Sequence, residues 1–220
     1  MNAELLINPV GAALVLGGTM LATLARTGWH ECGLTLHQQR ALARPRFNAA
    51  RMKAQLAGQV TRMRRDGLIR AEADPLPDRE FADATAALVR HRSTAALRDE
   101  HDRHRQRRCA DRQRACRSLS QAGELAPVLG LAGTLLSLSQ LPAGGLDEVS
   151  GLMQSVSLAV VSTLYGLLLA HLVCFPLARA IERHGDREED EREDLVRWLA
   201  GQLESACPSS ALHQRMERAA

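Results

Sequence analysis

Two long stretches without a charged side chain constrain the fold of this chain most strongly. They run from Leu125 to Leu141 and from Val156 to Leu177, and neither contains Asp, Glu, Lys or Arg. A helix needs about 20 predominantly apolar residues to cross the hydrocarbon core of a bilayer. Because only a short Gly-containing segment separates them, the two stretches predict a transmembrane hairpin within residues 123–178.

A third apolar stretch lies at residues 5–25. It contains Gly11, Gly17 and Gly18, which are small residues of the kind that lets membrane helices approach closely. A cleaved signal peptide is the alternative, but signal peptides begin with positive charge and this chain begins Met1-Asn2-Ala3-Glu4. We therefore expect a retained transmembrane helix, which makes three predicted transmembrane helices in an all-α membrane protein.

The segment 26–122 is polar and rich in arginine. Proline disfavours helix at the residue before it, so Pro75 and Pro77 predict a break followed by a new helix. We expect two helices before this break. Apolar residues at helical spacing on its two sides are Leu56, Val60, Met63, Leu68, Phe81, Ala84, Leu88 and Leu97. The pattern predicts a helical, arginine-rich domain outside the membrane.

Opposite charges are concentrated in two places. The segment Arg98–Arg117 holds eight arginines and four acidic residues, and the tail 179–220 contains an acidic run from Asp186 to Asp194. One interpretation is a solvated helix that leads into the membrane. The other is pairing between the two segments, within one chain or between neighbouring subunits, in which case only a network would contribute much stability.

Charge distribution also predicts topology. Arginine and lysine are frequent between residues 27 and 122, whereas the turn at 142–151 has none and carries Asp147 and Glu148. The positive-inside rule then places the middle region and the tail in the cytoplasm, and the N-terminus and the turn outside.

The two helices of the hairpin carry stripes of small residues with hydroxyl groups among them. Thr134, Ser162 and Thr163 are expected at similar depth, where hydroxyls can line a narrow polar path or hydrogen-bond a neighbouring helix. Pro127 and Pro176 lie near the cytoplasmic helix ends and can permit a bend. Ordinary close packing of helices is the alternative explanation for the stripes.

Several other functions find little support in the residues. His101, His104, Cys109 and Cys116 are candidate metal ligands close together in the sequence, but Cys109 falls off the helix face that the histidines share, so we expect no metal. The basic residues lack the interleaved aromatics of a nucleic-acid platform. The odd number of scattered cysteines argues against a disulfide framework. We find no nucleophile–base pair and no phosphate-binding loop in the sequence, so we expect neither enzymatic activity nor a cofactor.

Four segments resemble the MotA/TolQ/ExbB proton-channel superfamily, and most closely its flagellar motor stator subunit MotA. Ala126-Pro127-Val128-Leu129-Gly130-Leu131-Ala132-Gly133-Thr134-Leu135 is similar to the third MotA span. Leu158–Gly166 followed by Pro176-Leu177-Ala178 is similar to the fourth. Asn8–Thr23 resembles the second span, and Arg64–Glu72 resembles the cytoplasmic element that engages the rotor.

The resemblance implies a ring of five subunits in the bacterial inner membrane around a MotB-like partner. That partner would supply the ion-carrying Asp, which fits the lack of a mid-depth ionisable group in the hairpin. Thr134, Ser162 and Thr163 would line the ion path, Pro127 and Pro176 would permit conformational change, and Arg64 and Glu72 would contact a FliG-like rotor protein. An ExbB/TolQ-like energiser of outer-membrane processes and a purely structural helix-packing protein are the alternatives. The residues do not distinguish proton from sodium coupling.

Overall fold

A computed structural model describes residues 9–42, 47–66, 76–139 and 149–204. All regular secondary structure in these four ranges is helical. A short π-helical segment, Leu169–Cys174, joins two of the helices. The α-helices in chain order are α1 Pro9–Thr27, α2 Trp29–Leu42, α3 Ala49–Asp66, α4 Arg79–His91, α5 Thr94–Ser139, α6 Val149–Leu168 and α7 Phe175–Leu203.

The chain divides into two compact units. Unit 1 comprises Met1–Arg44 and Asp111–Arg183, and unit 2 comprises Pro45–Ala110 and His184–Ala220. Because α5 and α7 are long, each contributes residues to both units.

Unit 1 contains the apolar helices. Two helical segments, Thr94–Ser139 and Ser155–Leu203, include a stretch that is long and apolar enough to cross a membrane. The first predicted span becomes α1, whose described apolar part, Gly11–Thr27, is shorter. It ends at Gly28, where a φ of 85° favours glycine, and the chain then turns into α2. The turn expected at 142–151 lies mostly outside the described residues.

The two hairpin prolines have different surroundings. Helix α5 continues through Pro127. The π-helical segment ends at Cys174, two residues before Pro176, and the Phe175 N–H donates to the Ala170 carbonyl, five residues back. Since proline has no N–H to donate to the carbonyl four residues earlier, the local winding before Pro176 is easier to alter than in a regular helix.

Unit 2 has an aliphatic and aromatic core. The stripe predicted on α3 is buried at Leu56, Val60 and Met63, which confirms that part of the periodicity, while Leu68 lies outside the described residues. The residues predicted on α4 and the start of α5 are buried with them. The core is completed by α7, and its fully buried large side chains include Leu56, Met63, Phe81, Leu88, Leu97, Leu199 and Leu203.

The break before α4 has a clear local cause. After Pro77, the Asp78 carboxylate accepts hydrogen bonds from the backbone N–H groups of Glu80 at 3.0 Å and Phe81 at 3.4 Å. An aspartate at this position satisfies N–H groups that have no partner inside the helix. The same bonds place Glu80 in the first turn of α4 with its side chain directed into unit 2, where it is 3% exposed.

Candidate channel wall

The backbones of α5 and α6 approach closely in unit 1 because glycine occupies the contact positions. A Cβ atom added to Gly166 would lie 2.5 Å from the Ala126 carbonyl oxygen, and one added to Gly130 would lie 3.0 Å from the Ser162 carbonyl oxygen. Any larger residue would therefore separate the helices. The small-residue stripes predicted from the sequence thus form this contact, as membrane helices with small residues commonly do.

The side chains predicted to line the ion path form a hydroxyl belt, which consists of Thr134, Ser162 and Thr163. Their three hydroxyls have different environments. Ser162 is 1% exposed, and its hydroxyl lies 2.9 Å from the Ala159 carbonyl and 3.3 Å from the Gly130 carbonyl across the contact. Thr134 and Thr163 are half-buried. Their hydroxyls donate to carbonyls of their own helices, Leu131 at 2.6 Å and Ala159 at 3.4 Å. Ser162 is therefore placed within the α5–α6 contact, and the two threonines lie nearer its surface.

Large apolar side chains cover the outer surfaces of these helices. Leu131 and Leu135 on α5 and Val160 and Leu164 on α6 are all exposed. Helix α1 packs against both, since Gly18 approaches Leu129 and Gly11 approaches Leu158. Apolar faces of this extent favour a lipid or protein neighbour over water.

Unit 2 contains a buried ionic network centred on Glu80. Its carboxylate accepts hydrogen bonds from Arg108 of α5, at 2.5 Å, and from Arg192 of α7, at 2.6 Å, and it lies 2.5 Å from Nδ1 of His101. Arg108 also binds Glu189 through two parallel bonds of 2.7 and 2.8 Å. Three helices are therefore joined by bonds between charged groups, the strong class of protein hydrogen bond.

The network controls the ionisation of its members. Burial alone would raise the pKa of Glu80, but the hydrogen bond with His101 and the charges and hydrogen bonds of Arg108 and Arg192 lower it to about 2. Burial would likewise lower the pKa of Arg108, whereas its bonds to Glu189 and Glu80 hold that pKa above its ordinary value. Glu80 is consequently a carboxylate throughout the physiological range.

The predicted pairing between the arginine-rich segment and the acidic tail is confirmed within one chain. Arg108 pairs with Glu189, and Arg105 lies 3.2 Å from Glu193. The sequence indicated which segments pair. It did not identify Glu80 as the common partner; the signal in the sequence was an acidic residue two positions after Asp78, which caps α4.

The candidate metal ligands named from the sequence are not brought together. Nδ1 of His101 contacts Glu80, while Cys116 lies 3.5 Å from the Ala178 carbonyl in unit 1. The structure instead groups His104 with Asp83 and Glu100, which are half-buried and exchange ordinary hydrogen-bonding and ion-pair contacts.

One of the two predicted rotor-contact residues can be placed. Arg64 lies near the end of α3, is exposed, and donates a 3.0 Å hydrogen bond to the Gln202 side chain. Glu72 lies outside the described residues.

In the described residues all regular secondary structure is helical, and two of the helices are long and apolar enough to cross a membrane. The model of the MotA/TolQ/ExbB proton channel family matches residues 72–194, more than half of the chain, and the chain belongs to this family. The match includes both helices of the α5–α6 contact and much of the ionic network.

The chain is also similar in sequence to individual curated proteins. The chain is 32% identical over 117 residues to the uncharacterized protein YtxD of Bacillus subtilis, covering 53% of this chain and 39% of the relative. It is 26% identical over 139 residues to motility protein A of Cereibacter sphaeroides, covering 63% of this chain and 54% of that protein. The chain thus spans about half or less of the length of these curated relatives.

The fold is that of a solved stator. A chain of the flagellar MotAB stator complex from Bacillus subtilis superposes with a TM-score of 0.79 at 22% identity, covering 92% of this chain and 81% of that chain. At this identity the likeness establishes the fold alone.

Proposed function

We propose that this protein is the ion-channel subunit of a flagellar-motor-type stator, which converts transmembrane ion flow into torque together with a MotB-like partner. The observation that carries the proposal is the α5–α6 pair, a tightly packed helix contact with hydroxyls but no charged side chain. A cation path across a membrane generally needs an ionisable side chain. A single-span partner that brings an Asp to this wall would supply it.

In this proposal the belt residues have distinct roles. Thr134 and Thr163, which are half-buried in the isolated chain, face the ion path and the partner's helix. Ser162 holds the two helices of the belt together, because its hydroxyl on α6 donates a hydrogen bond to the Gly130 carbonyl on α5. Ion flow needs no catalytic residue or cofactor, so the proposed activity is transport and not enzymatic.

In the same proposal, Pro127 and Pro176 allow the helices to change conformation. Pro176 follows the π-helical segment, where an alternative hydrogen-bond register is accessible at low cost. Pro127 lies next to the Ala126 carbonyl that Gly166 approaches most closely. A small change of winding at either proline would alter the spacing of the two helices.

The proposal also includes the number of copies in the complex and the topology of the chain in the membrane. Five copies would form a ring in the bacterial inner membrane, with α1 as a third span beside α5 and α6, the N-terminus outside and the tail in the cytoplasm. The exposed Leu and Val side chains of these helices would face lipid or a neighbouring copy. Unit 2 would then be cytoplasmic, in keeping with the arginine content of its sequence.

Substitution of both threonines tests the channel. Thr134→Val together with Thr163→Val keeps size and removes two hydroxyls that could each contribute ~1 kcal/mol as hydrogen-bonding groups, so ion flux through a reconstituted complex with its partner should fall on the order of tenfold. Thr61→Val is a matched control, because this exposed threonine of unit 2 also donates to its own helix, at 2.9 Å. Undiminished flux in the double variant would exclude this belt as the path.

Reversal of charge tests the rotor contact. Arg64 and Glu72 would exchange charge-complementary contacts with a FliG-like rotor protein, so Arg64→Glu should reduce torque and swimming while flux stays unchanged. Arg51→Glu, an exposed arginine on the same helix, is the control. Swimming at the unsubstituted speed in the Arg64 variant would argue against the contact, whatever the result for the belt.

A further inference from the structure

A cavity of about 670 Å³ in unit 1 contains charged side chains that the proposed channel does not use. Three arginines line it, one from each of three helices: Arg26 at the end of α1, Arg117 of α5 and Arg179 of α7. Two glutamates, Glu124 and Glu182, line the same cavity. We name this group of five residues the charged cavity.

The charged side chains of this cavity form no close ion pairs with one another. Among the residues that the structure describes, no carboxylate oxygen lies within 4.0 Å of a guanidinium nitrogen of Arg26, Arg117 or Arg179. Arginines elsewhere in the chain are commonly paired, as Arg105 and Arg108 are. Groups of both signs that face one cavity without pairing are suited to a ligand that carries both signs.

The cavity lies at the ends of the apolar stretches. Arg26 directly follows the first apolar stretch, Glu124 directly precedes Leu125, and Arg179 follows Leu177 by two residues. In a membrane-spanning chain, charged residues at these positions lie at the level of the lipid head groups. Its volume is also within the ordinary range of ligand sites, roughly 300–1,000 Å³.

An aromatic ring forms an apolar part of the lining. The Phe175 ring packs over Gly123, where an added Cβ would lie 2.8 Å from the ring, and it contacts the His171 ring edge-on at a centroid distance of 5.5 Å. Because glycine leaves room for it, Phe175 is held at the cavity. An apolar surface beside unpaired charges matches the junction between a head group and an acyl chain better than it matches a free ion.

We propose that the charged cavity binds the head group of a phospholipid that carries both a phosphodiester and a primary ammonium, as phosphatidylethanolamine does. The guanidinium groups of Arg26, Arg117 and Arg179 bind the phosphate oxygens. The carboxylates of Glu124 and Glu182 accept hydrogen bonds from the ammonium group. The proposal requires the membrane insertion included in the proposed function, but it does not require ion flow or a rotor.

Lipid binding to the purified full-length chain in detergent measures this directly. The probes are short-chain phosphatidylethanolamine, phosphatidylglycerol and phosphatidylcholine, together with inorganic phosphate, each titrated and followed by native mass spectrometry. We expect the ethanolamine lipid to bind most tightly. Phosphatidylcholine cannot donate hydrogen bonds from its quaternary ammonium, phosphatidylglycerol has no cation, and inorganic phosphate gains nothing from Phe175.

Two sets of variants assign the contacts. Changing Arg26, Arg117 and Arg179 to Gln should weaken binding of the ethanolamine lipid on the order of a hundredfold, at about fivefold per arginine. Arg103→Gln, Arg107→Gln and Arg114→Gln together remove the same charge from exposed positions elsewhere on α5 and should change binding little. Glu124→Gln with Glu182→Gln should abolish the preference for ethanolamine over glycerol.

Several results would overturn the proposal. Equal affinity for phosphatidylcholine, or tighter binding of phosphatidylglycerol, would exclude recognition of the ammonium. Inorganic phosphate binding as tightly as lipid would make this a free-anion site. Equal losses of lipid affinity in the two arginine triple variants would mean that net charge, and not this cavity, determines binding.

Circular dichroism and size-exclusion profiles identify any variant that fails to fold. For such a variant, single Arg→Lys changes replace the triple substitution. Ion flux in the same variants separates this proposal from the channel, since a failed channel leaves the lipid measurement intact.

Discussion

The two units of this protein achieve close packing by opposite means. In unit 1, α5 and α6 approach through glycines, and Ser162 supplies a hydrogen bond between the helices. In unit 2, helices are joined across a buried carboxylate, Glu80, by two arginines and a histidine. The packing of unit 1 therefore depends on the absence of side-chain atoms, whereas that of unit 2 depends on a complete set of charged partners.

Removal of the central charge of unit 2 should have the largest effect. Glu80→Gln leaves Arg108 and Arg192 buried without their shared carboxylate, and breaking a buried ion pair from one side costs roughly 3–5 kcal/mol. Chemical unfolding of the full chain in detergent, followed by Trp198 fluorescence in a Trp29→Phe background, measures this because Trp198 packs against the unit 2 core.

The control is a carboxylate at the surface of the same unit. Glu193 is 39% exposed and pairs with Arg105 and Arg197, so Glu193→Gln should cost at most about 1 kcal/mol. A similar small loss in the Glu80 variant would mean that the network contributes nothing beyond surface pairing.

Acid should destabilise unit 2 through the same residue. The pKa of Glu80 is about 2 in the folded protein, compared with an ordinary value of 4.5. Because the folded-state pKa is depressed, its contribution is fully present above about pH 4.5 and is lost as the pH falls toward 2. The difference corresponds to roughly 3 kcal/mol.

Unfolding free energies measured between pH 6 and pH 2.5 test this dependence. The Glu80→Gln chain should lack this part of the acid sensitivity, and the Glu193→Gln chain should retain it. Identical pH profiles for the unsubstituted and Glu80→Gln chains would contradict the assignment.

Addition of a single methyl group should disturb unit 1. In Gly166→Ala the new Cβ would lie 2.5 Å from the Ala126 carbonyl oxygen, and since backbone must move to admit it, we expect a loss of roughly 1–3 kcal/mol. Circular dichroism during titration with a denaturing detergent reports this loss. Gly17→Ala is the matched control, because nothing beyond its chain neighbours and the local backbone of its own helix lies within 4 Å of its Cβ position. Equal behaviour of the two variants would mean that the α5–α6 contact is looser than described.

Much of this architecture followed from local sequence signals. Uncharged apolar length predicted the two helices that are long enough to cross a membrane. The prolines at 75 and 77 predicted the break before α4, and the spacing of Leu56, Val60 and Met63 predicted the buried face of α3. These features depend on residues that are neighbours along one helix, so a pattern along the chain is sufficient to predict them.

Sequence patterns alone predicted helices, apolar stretches suited to a membrane, and two oppositely charged segments, with pairing of those segments as one of two interpretations. The packing of the helices was needed to show that Ser162 lies inside the helix contact while Thr134 and Thr163 lie nearer its surface, and that Glu80 joins Arg108 and Arg192. The physical reason is distance along the chain. Hydropathy and capping act within one helical turn, whereas these contacts join residues from different helices, whose relative rotation no single-helix pattern specifies.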